Sequence, residues 1–208
     1  MEVREGIHTY DVEWQYDEPM SVHVVERDGT TVMIGGGAAA SADELVGIAA
    51  DHGVEVVVAE HGDPDHMNAI PEIRAALDVE VAVPAGDARF FEAAGIDPDR
   101  LLDGGETYWG IETISTPGHT PDNMAFLVDD VLVAGDTVVG VDSVHTADED
   151  WSGPLAVTPP SYNPDDEQMR ASVSTLLDFD FEVVLVSHGD HVLDDGHDAV
   201  ATLVDDLA

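Results

Sequence analysis

The sequence predicts an α+β fold in which two β-sheets pack face to face and helices cover the outside. Strand and helix patterns follow one another as strands, helix, strand, helix, and the same series then repeats. A chain organised in this way buries its apolar faces by stacking layers. Two near-continuous apolar runs, Val54–Ala59 and Val79–Val83, are typical of strands buried on both faces. The 208 residues contain no Pro/Ser-rich linker and no fixed-period repeat, so we expect one domain over residues 1–208.

The elements before the first buried run are predicted to be a hairpin and a helix. Val22–Glu26 and Thr31–Ile34 have strand composition and flank Asp28-Gly29, a dipeptide that favours a two-residue hairpin turn. The segment Ser41-Ala42-Asp43-Glu44 has the form of a capping box, which predicts a helix from there through Ala50.

Further helices and strands are predicted in the middle of the chain. Asn68–Leu77 has helical spacing, and Asp87–Ala94 predicts a short helix that is closed by Gly95. Four strands separated by turns follow: Thr107–Trp109, Ile111–Ser115, Met124–Val128 and Val131–Ala134.

The last third begins with a long segment that lacks periodicity. Between Asp136 and Tyr162 the chain contains three prolines and neither strand nor helix spacing, which predicts a long loop of the kind that is often functional. Asn163 followed by Pro164 predicts the capped start of a helix. A strand at Val183–Val186 and a C-terminal amphipathic helix complete the chain.

The charge of the chain predicts an acidic, solvated surface. The sequence has 45 Asp and Glu residues against 6 Arg and Lys residues, all of them Arg, and a net charge of -39. Such a charge repels itself at ordinary salt, whereas at about 1 M salt the screening length falls to roughly 3 Å. We therefore expect a cytoplasmic protein from the high-salt cytosol of a halophile. Nucleic acid is excluded as a partner by this charge, because binding phosphates requires a basic patch.

Several features are not expected, because the sequence lacks the residues or segments that they need. It has no cysteine, so neither disulfides nor thiolate metal ligands are expected. We expect no signal peptide, because the first five residues carry no apolar core, and no membrane partner, because no apolar run approaches the roughly 20 residues of a membrane span. The expected partner is a small-molecule substrate, and high salt would favour a homo-oligomer by strengthening hydrophobic burial.

Four short motifs place imidazole and carboxylate groups at the ends of predicted strands. They are His61-Gly62-Asp63-Pro64-Asp65-His66, Pro117-Gly118-His119-Thr120, Gly135-Asp136-Thr137 and Ser187-His188-Gly189. Side chains from distant segments can converge where strands end, and nitrogen and oxygen donors suit a hard or borderline metal ion. The sequence therefore predicts a site for two metal ions.

The residues themselves indicate how such a site would be divided. His61 and Asp63 could bind one ion, and Asp65 and His66 a second one. The two oxygens of Asp136 could bridge both ions. His119 follows Gly118 and is a further candidate ligand that Thr120 could orient, and His188 would complete the coordination of the second ion.

In these motifs the chain resembles the metallo-β-lactamase superfamily, and in particular its glyoxalase-II-like hydrolases, here of a haloarchaeal type. The family signature is His-x-His-x-Asp-His, then a glycine-histidine, an aspartate and a final histidine. The resemblance implies the four-layer αββα sandwich of the metallo-β-lactamase fold. It also implies a ligand assignment, with metal 1 held by His61, Asp63 and His119, metal 2 held by Asp65, His66 and His188, and Asp136 bridging.

The sequence departs from the family pattern at two places. Asp63 stands where the second histidine is usual, and Gly35-Gly36-Gly37 replaces the Asp-x-Gly that often ends an early strand. A third carboxylate neutralises more of the metal charge, so bound water should be less readily deprotonated. Oxygen-rich ligation also shifts the preference from zinc towards manganese or iron. We expect one or two divalent ions per chain, with zinc favoured and manganese and iron as the alternatives.

The function implied by this resemblance is a metal-dependent hydrolase. A metal-bound hydroxide would attack an ester, thioester or lactone carbonyl, and Asp65 could take the proton of the water. Two alternatives stay open. Asp63 favours an iron-dependent oxidoreductase, either persulfide-dioxygenase-like or di-iron, and a degraded site would leave a non-catalytic metal-binding or sensor protein. Neither the C-terminal domain that holds glutathione in glyoxalase II nor a nuclease domain is expected.

Several other residues are assigned by weaker signals. We expect His23, His145, Tyr162 and His191 to bind substrate or to support the metal ligands. His8, His52 and His197 carry no motif and are expected to be solvated histidines.

Overall fold

The computed structural model describes residues 1–16, 18–146 and 151–207, which form two compact units. The first unit comprises residues 1–103 and 108–110, and the second comprises residues 104–107 and 111–208. The expectation that residues 1–208 form a single domain stays a prediction. Among the described residues, no helix is long and apolar enough to cross a membrane.

The first unit is built on one mixed sheet. Within its described residues, seven strands are arranged in chain order, with antiparallel pairing among the first four and parallel pairing from the fourth onwards. These strands are β1 (Glu2–Arg4), β2 (Ile7–Val12), β3 (Met20–Arg27), β4 (Thr30–Ile34), β5 (Val56–Val58), β6 (Glu80–Pro84) and β7 (Arg100–Leu102).

The predicted hairpin is confirmed as β3 and β4. Asp28 and Gly29 both have positive φ, at 52° and 82°, which is the backbone that a two-residue turn between twisted strands requires. The buried runs are confirmed as β5 and β6. Strands β1, β2 and β7 were not predicted, although Ile7 and Thr9 of β2 alternate with less buried neighbours as a half-buried strand should.

Four α-helices are described in the first unit: α1 (Ala42–His52), α2 (Pro64–Met67), α3 (Ile70–Ala76) and α4 (Ala88–Ala93). The predicted capping box is wrong, because the Ser41 hydroxyl donates to the carbonyl of Ala38 at 2.8 Å and caps no helix. The helix predicted at Asn68–Leu77 is confirmed as α3, with Pro71 in its first turn, and the short helix α2 before it was not predicted. Proline is tolerated at that position because its missing N–H has no partner there.

The helices of the first unit pack on one face of its sheet. Leu45 and Ala49 of α1 and Ile73 of α3 are completely buried. They share one apolar core with strand residues Val22, Val24, Met33, Val57, Val81 and Val83. Burying a Val, Leu, Ile or Met side chain contributes roughly 1.5–3 kcal/mol to stability. This core therefore fixes the position of β5 and of the loop that follows it.

The second unit contains a five-stranded sheet among its described residues, in the order β14, β11, β10, β9, β8. Its strands are β8 (Thr107–Tyr108), β9 (Ile111–Ser115), β10 (Met124–Val128), β11 (Val131–Val133) and β14 (Val183–Leu185). β14 runs parallel to β11, whereas β10 is antiparallel to both β9 and β11. The four predicted strands at residues 107–134 and the last strand are thus confirmed.

Two helices pack on this second sheet, α5 (Asp166–Thr175) and α6 (Gly196–Leu207). Met169 and Val173 of α5 and Val200 of α6 lie in one core with Ile114 and Leu132 of the sheet. Both units therefore consist of helices packed on a sheet, which confirms the α+β prediction.

The long segment between Asp136 and Tyr162 is more structured than its sequence predicts. It contains a short antiparallel pair, β12 (Val139–Gly140) with β13 (Leu155–Ala156). Residues 147–150 lie outside the described part of this loop. The helix cap predicted at Asn163 is wrong, because α5 begins later and Asp165 accepts the N–H of Gln168 at 3.0 Å instead.

Candidate metal centre

The first set of candidate ligands lies on the segment that leaves β5 and enters α2. His61 and His66 are fully buried, whereas the side chain of Asp63 is 45% exposed. The Nε2 atom of His61 is 3.8 Å from a carboxylate oxygen of Asp63, and the rings of His61 and His66 are 4.0 Å apart. Asp65 is partly buried in the first turn of α2. The structure therefore brings His61, Asp63 and His66 close together within the first unit.

Two glycines allow this segment to lie where it does. A Cβ at Gly62 would come within 2.7 Å of Phe90, while the Gly62 N–H donates to the buried carboxylate of Asp87 at 3.1 Å. A Cβ at Gly36 would lie 2.4 Å from the carbonyl oxygen of His66, and the Gly36 N–H donates to that oxygen at 3.0 Å. Gly36 of Gly35-Gly36-Gly37 thus has a structural reason, because only a residue without a side chain fits against α2.

A buried carboxylate that the sequence analysis missed supports this set. Glu60 is fully buried, and its carboxylate accepts the Nδ1–H of His66 at 3.2 Å. Such a bond fixes the ring orientation and directs Nε2 as the donor towards a metal. A signal was present in the sequence, because Glu60 ends the apolar run Val54–Ala59 and a charge at that position needs a partner.

The second set of candidate ligands comes from three distant segments of the second unit. His119, Asp136 and His188 are buried, with exposures of 5%, 6% and 1%. The Nε2 atom of His119 is 3.4 Å from Oδ2 of Asp136, and the Nε2 atom of His188 is 3.6 Å from Oδ1 of Asp136. Each oxygen of Asp136 therefore faces a different histidine.

The backbone of this second set depends on tight packing around glycine. Gly118 has a φ of 126°, and a Cβ there would lie 2.2 Å from the backbone nitrogen of Met169 in α5. Asp136 sits in a 3₁₀ turn directly after β11, and His188 follows β14, which pairs with β11. The adjacent pairing of these two strands explains why residues far apart in sequence meet.

His119 is supported by Asn163, which the sequence analysis assigned to a helix cap. The Nδ1–H of His119 donates to Oδ1 of Asn163 at 3.1 Å, and the Thr158 hydroxyl donates to the same oxygen at 2.9 Å. The amide of Asn163 in turn donates to Asp166 at 2.9 Å. The expectation that Thr120 orients His119 is wrong, because the amide of Asn163 holds the ring.

Asp166 anchors this chain of hydrogen bonds as a carboxylate. Partial burial opposes its ionisation, but hydrogen bonds from Arg170 and Asn163 and the charge of Arg170 outweigh burial, so the pKa of Asp166 lies below its usual value. The ionised form of Asp166 therefore keeps Asn163 oriented.

A second buried network joins the segments that carry His119 and Asp136. The side-chain amide of Asn123 donates to the hydroxyls of Thr116 and Thr137 at 2.9 and 3.0 Å, and Thr137 donates to Thr116 at 2.8 Å. All three residues are buried. These bonds join the segment after β9 to the segment after β11, so they limit movement of the neighbouring ligands.

The residues expected to contact substrate lie in different environments. His23 is fully buried in β3, in the first unit. In the second unit, the ring of His145 lies 5.2 Å from that of His188 and 5.7 Å from that of Tyr162, which is half exposed. His191 accepts the N–H of Val186 through Nδ1 at 3.3 Å. Their roles in substrate binding stay predictions, and the ring of His145 lies beside that of the candidate ligand His188.

The donor atoms of both sets suit a divalent ion that takes nitrogen and oxygen ligands. These donors bind zinc at about 2.0–2.2 Å, so two of them on one tetrahedral ion lie roughly 3.4 Å apart. The measured donor separations are close to that value, at 3.4 Å for His119 with Asp136, 3.6 Å for His188 with Asp136 and 3.8 Å for His61 with Asp63. The residues present therefore fit a metal ion.

The chain is similar to a protein of known structure over nearly its full length. It matches the metallo-beta-lactamase family protein TTHA1429 from Thermus thermophilus with a TM-score of 0.71 and 19% sequence identity. The match covers 99% of this chain and 80% of that chain. At this level of identity the likeness shows the fold, and it confirms the predicted metallo-β-lactamase fold.

Curated relatives and a family model agree with this likeness. The chain is 39% identical over 79 residues to "Probable metallo-hydrolase YflN" of Bacillus subtilis (strain 168), which is 36% of this chain and 30% of that protein. It is 32% identical over 118 residues to "Probable metallo-hydrolase BURPS1710b_2304" of Burkholderia pseudomallei (strain 1710b), covering 47% of this chain and 40% of that protein. The matches thus span less than half of either relative. A family model described as "Metallo-beta-lactamase superfamily" matches residues 22–207, so the chain belongs to that superfamily.

Proposed function

We propose that the protein is a metal-dependent hydrolase whose two ligand sets together hold one or two divalent ions. Metal 1 would be held by His61, Asp63 and His119, and Asp136 would bridge to metal 2. Metal 2 would also be held by Asp65, His66 and His188. The observation that carries the proposal is the geometry of Asp136, because its two oxygens face two histidine Nε2 atoms at 3.4 and 3.6 Å.

The substrate class that we propose is a small ester, thioester or lactone. When bound, divalent ions of this kind activate water and polarise a carbonyl oxygen. The residues of the chain supply the rest. Glu60 and Asn163 hold two imidazole rings in place, and a carboxylate oxygen of Asp65 receives the proton that the attacking water loses. Membership of a superfamily with curated relatives named as probable metallo-hydrolases supports a hydrolase in general, and the substrate class is our proposal.

The test combines metal content with hydrolysis. Protein purified in molar KCl without chelator or added metal is analysed by mass spectrometry for metal per chain. It is then assayed with a panel of p-nitrophenyl esters, thioesters and lactones before and after chelation. Two zinc or manganese ions per chain, with hydrolysis that chelation removes and metal restores, are expected. A reconstituted protein that binds metal but hydrolyses none of the panel would count against the substrate class, and one that binds no metal would overturn the proposal.

An iron-dependent oxidoreductase is a second candidate, and Asp63 is the observation that favours it. Its carboxylate lies 3.8 Å from His61 Nε2, so metal 1 would have an oxygen donor where the family usually has a histidine. Oxygen donors shift the preference towards iron or manganese. Iron as the purified metal, together with oxygen consumption in the presence of a persulfide, would replace the hydrolase proposal with this one.

We infer that the protein works in a high-salt cytosol on a small-molecule substrate. A net charge of -39 supports the high-salt setting, because mutual repulsion falls when salt shortens the screening length. Thermal unfolding measured from about 0.1 to 2 M KCl should show a rising midpoint. A midpoint that does not change with salt would remove this inference.

A further inference from the structure

Three residues outside the candidate metal centre converge on one side of the first sheet. His8 lies opposite Val24 in the pairing of β2 with β3, and Tyr10 lies opposite Val22. Side chains alternate along a strand, so Glu26, two residues after Val24, points to that same face. The strand register therefore places His8, Tyr10 and Glu26 together.

The helix α1 brings a second histidine to this group. Leu45 and Ala49 of α1 pack in the core with Val22 and Val24, so the helix runs over this face of the sheet. His52 is its last residue, and Gly53 ends it in the left-handed conformation. The end of the helix therefore delivers His52 to the place where the sheet presents His8 and Glu26. This overturns the expectation that His8 and His52 are isolated solvated histidines.

The distances within this group are those of potential metal ligands. One nitrogen of each histidine and one oxygen of Glu26 all lie within 4.8 Å of one another. His52 Nδ1 is 3.2 Å from Glu26 Oε1, and His8 Nε2 is 4.0 Å from the same oxygen. The second distance is too long for a hydrogen bond, yet it is close to the separation of two donors on one ion.

We propose that His8, Glu26 and His52 form a further metal site, which takes a borderline dication of the zinc class. His8 would bind through Nε2 and His52 through Nδ1, with water in the remaining positions. Two imidazoles and one carboxylate are a donor set that zinc takes in proteins.

Tyr10 is the positioning residue of this site. Its hydroxyl lies 2.5 Å from Nε2 of His52. With Nδ1 as the ligand, the ring proton would be on Nε2, and this N–H would donate a hydrogen bond to the phenolic oxygen of Tyr10. An outer contact of this kind fixes both the tautomer and the orientation of a ligating histidine. The site therefore has a built support for His52 as well as three donors.

The test follows the histidine rings of the full chain during a titration with zinc chloride in molar KCl. Long-range proton–nitrogen NMR spectra identify which ring nitrogen binds, and H8Q and H52Q variants assign the two rings. Zinc should shift Nε2 of His8 and Nδ1 of His52 together. E26Q should weaken this binding by at least about 10-fold, because loss of a ligand costs at least as much as loss of a supporting contact.

The matched control is D51N, which removes the same charge from the residue next to His52 but no ligand. It should leave zinc binding at His8 and His52 unchanged, and the hydrolase assay should be unchanged in E26Q. Two results would overturn the site. One is that both rings keep their metal-free signals at millimolar zinc in the unchanged protein. The other is that E26Q and D51N weaken binding equally, which would show general attraction by the acidic surface.

Discussion

The two candidate ligand sets differ in how they are assembled and in the kind of residue that holds a histidine ring in place. In the first unit, four candidate ligands come from one short segment, residues 61–66, and a buried carboxylate, Glu60, holds His66. In the second unit, three candidate ligands come from distant segments, and a neutral amide, Asn163, holds His119. The first set therefore depends on one loop and on the charge of Glu60. The second depends on the pairing of distant strands and on the position of the Asn163 amide.

This difference matters in a highly acidic chain, because one support adds negative charge to its site and the other does not. A carboxylate behind a histidine makes the ring a stronger donor, whereas an amide orients the ring without adding charge. Asp136 stands between His119 and His188, and a charged support there would add a further negative group to a buried site. The neutral support at His119 avoids that cost, and the predictions below test this comparison.

The largest effect should follow from D136N, because Asp136 faces both histidines of the second set. An amide offers one oxygen and no charge, so both interactions weaken at once. We expect metal content to fall and hydrolysis to drop by more than about 100-fold, which exceeds the usual cost of losing a supporting contact. The control is D205N, which removes an exposed acid of α6. Equal activity in D136N and D205N would contradict the role of Asp136.

Replacing Glu60 with glutamine tests whether charge supports the first set. The amide oxygen of E60Q can still accept the Nδ1–H of His66, so the variant removes the charge while the hydrogen bond can remain. We expect metal affinity to fall by about 10- to 100-fold, measured by competition with a chelator of known affinity. The control D87N alters a buried carboxylate that lies after β6 and accepts the backbone N–H of Gly62 rather than a ring N–H. Unchanged affinity in E60Q would mean that Glu60 acts by geometry alone.

Removing the amide of Asn163 tests the geometric support of the second set. N163A takes away the acceptor of the His119 ring and leaves Asp166 without one donor. We expect hydrolysis to fall by about 10-fold, with part of the loss recovered in N163Q if its longer amide reaches the ring. Circular dichroism separates this effect from unfolding. A T120V variant serves as the control, because Thr120 was expected from sequence to orient the same ring and does not.

The same two supports show what sequence patterns can and cannot predict. The positions of His61, His66, His119 and Asp136 at strand ends follow from motifs and apolar runs, since both are local signals. Asn163 precedes a proline and has the local form of a helix cap, yet its partner lies 44 residues away in sequence. Local patterns carry no information on such a contact, because it depends on how α5 packs.

Strand register explains a second failure of sequence reasoning. His8 and His52 carry no motif and were expected to be solvated, but the register of β2 with β3 and the end of α1 bring them to Glu26. β2 itself was not predicted, so its partners could not be. By contrast, the turn at Asp28-Gly29 was predicted correctly, because the preference of Asp-Gly for positive φ at both positions is local and needs no distant contact.

The smallest effect should come from D166N, which alters the outer end of the support for His119. Because the pKa of Asp166 is lower in the folded protein, its ionised form stabilises the fold at pH values above the unfolded pKa of about 3.9. That contribution is lost as the pH falls through the folded pKa. We expect D166N to lower the free energy of unfolding by about 0.3–1 kcal/mol at pH 7, and the difference to shrink as the pH falls below the unfolded pKa.

The control for this pH dependence is E167Q, an exposed acid in the same first turn of α5. Both substitutions remove a charge that interacts favourably with the helix N-terminus, so their difference isolates the contacts of Asp166 with Arg170 and Asn163. Denaturant unfolding at pH 7 and at pH 3 measures both. If D166N and E167Q lose equal stability at pH 7, the carboxylate of Asp166 contributes only through the helix. Asn163 would then hold His119 without help from charge, which would make the contrast with the Glu60 support of His66 sharper.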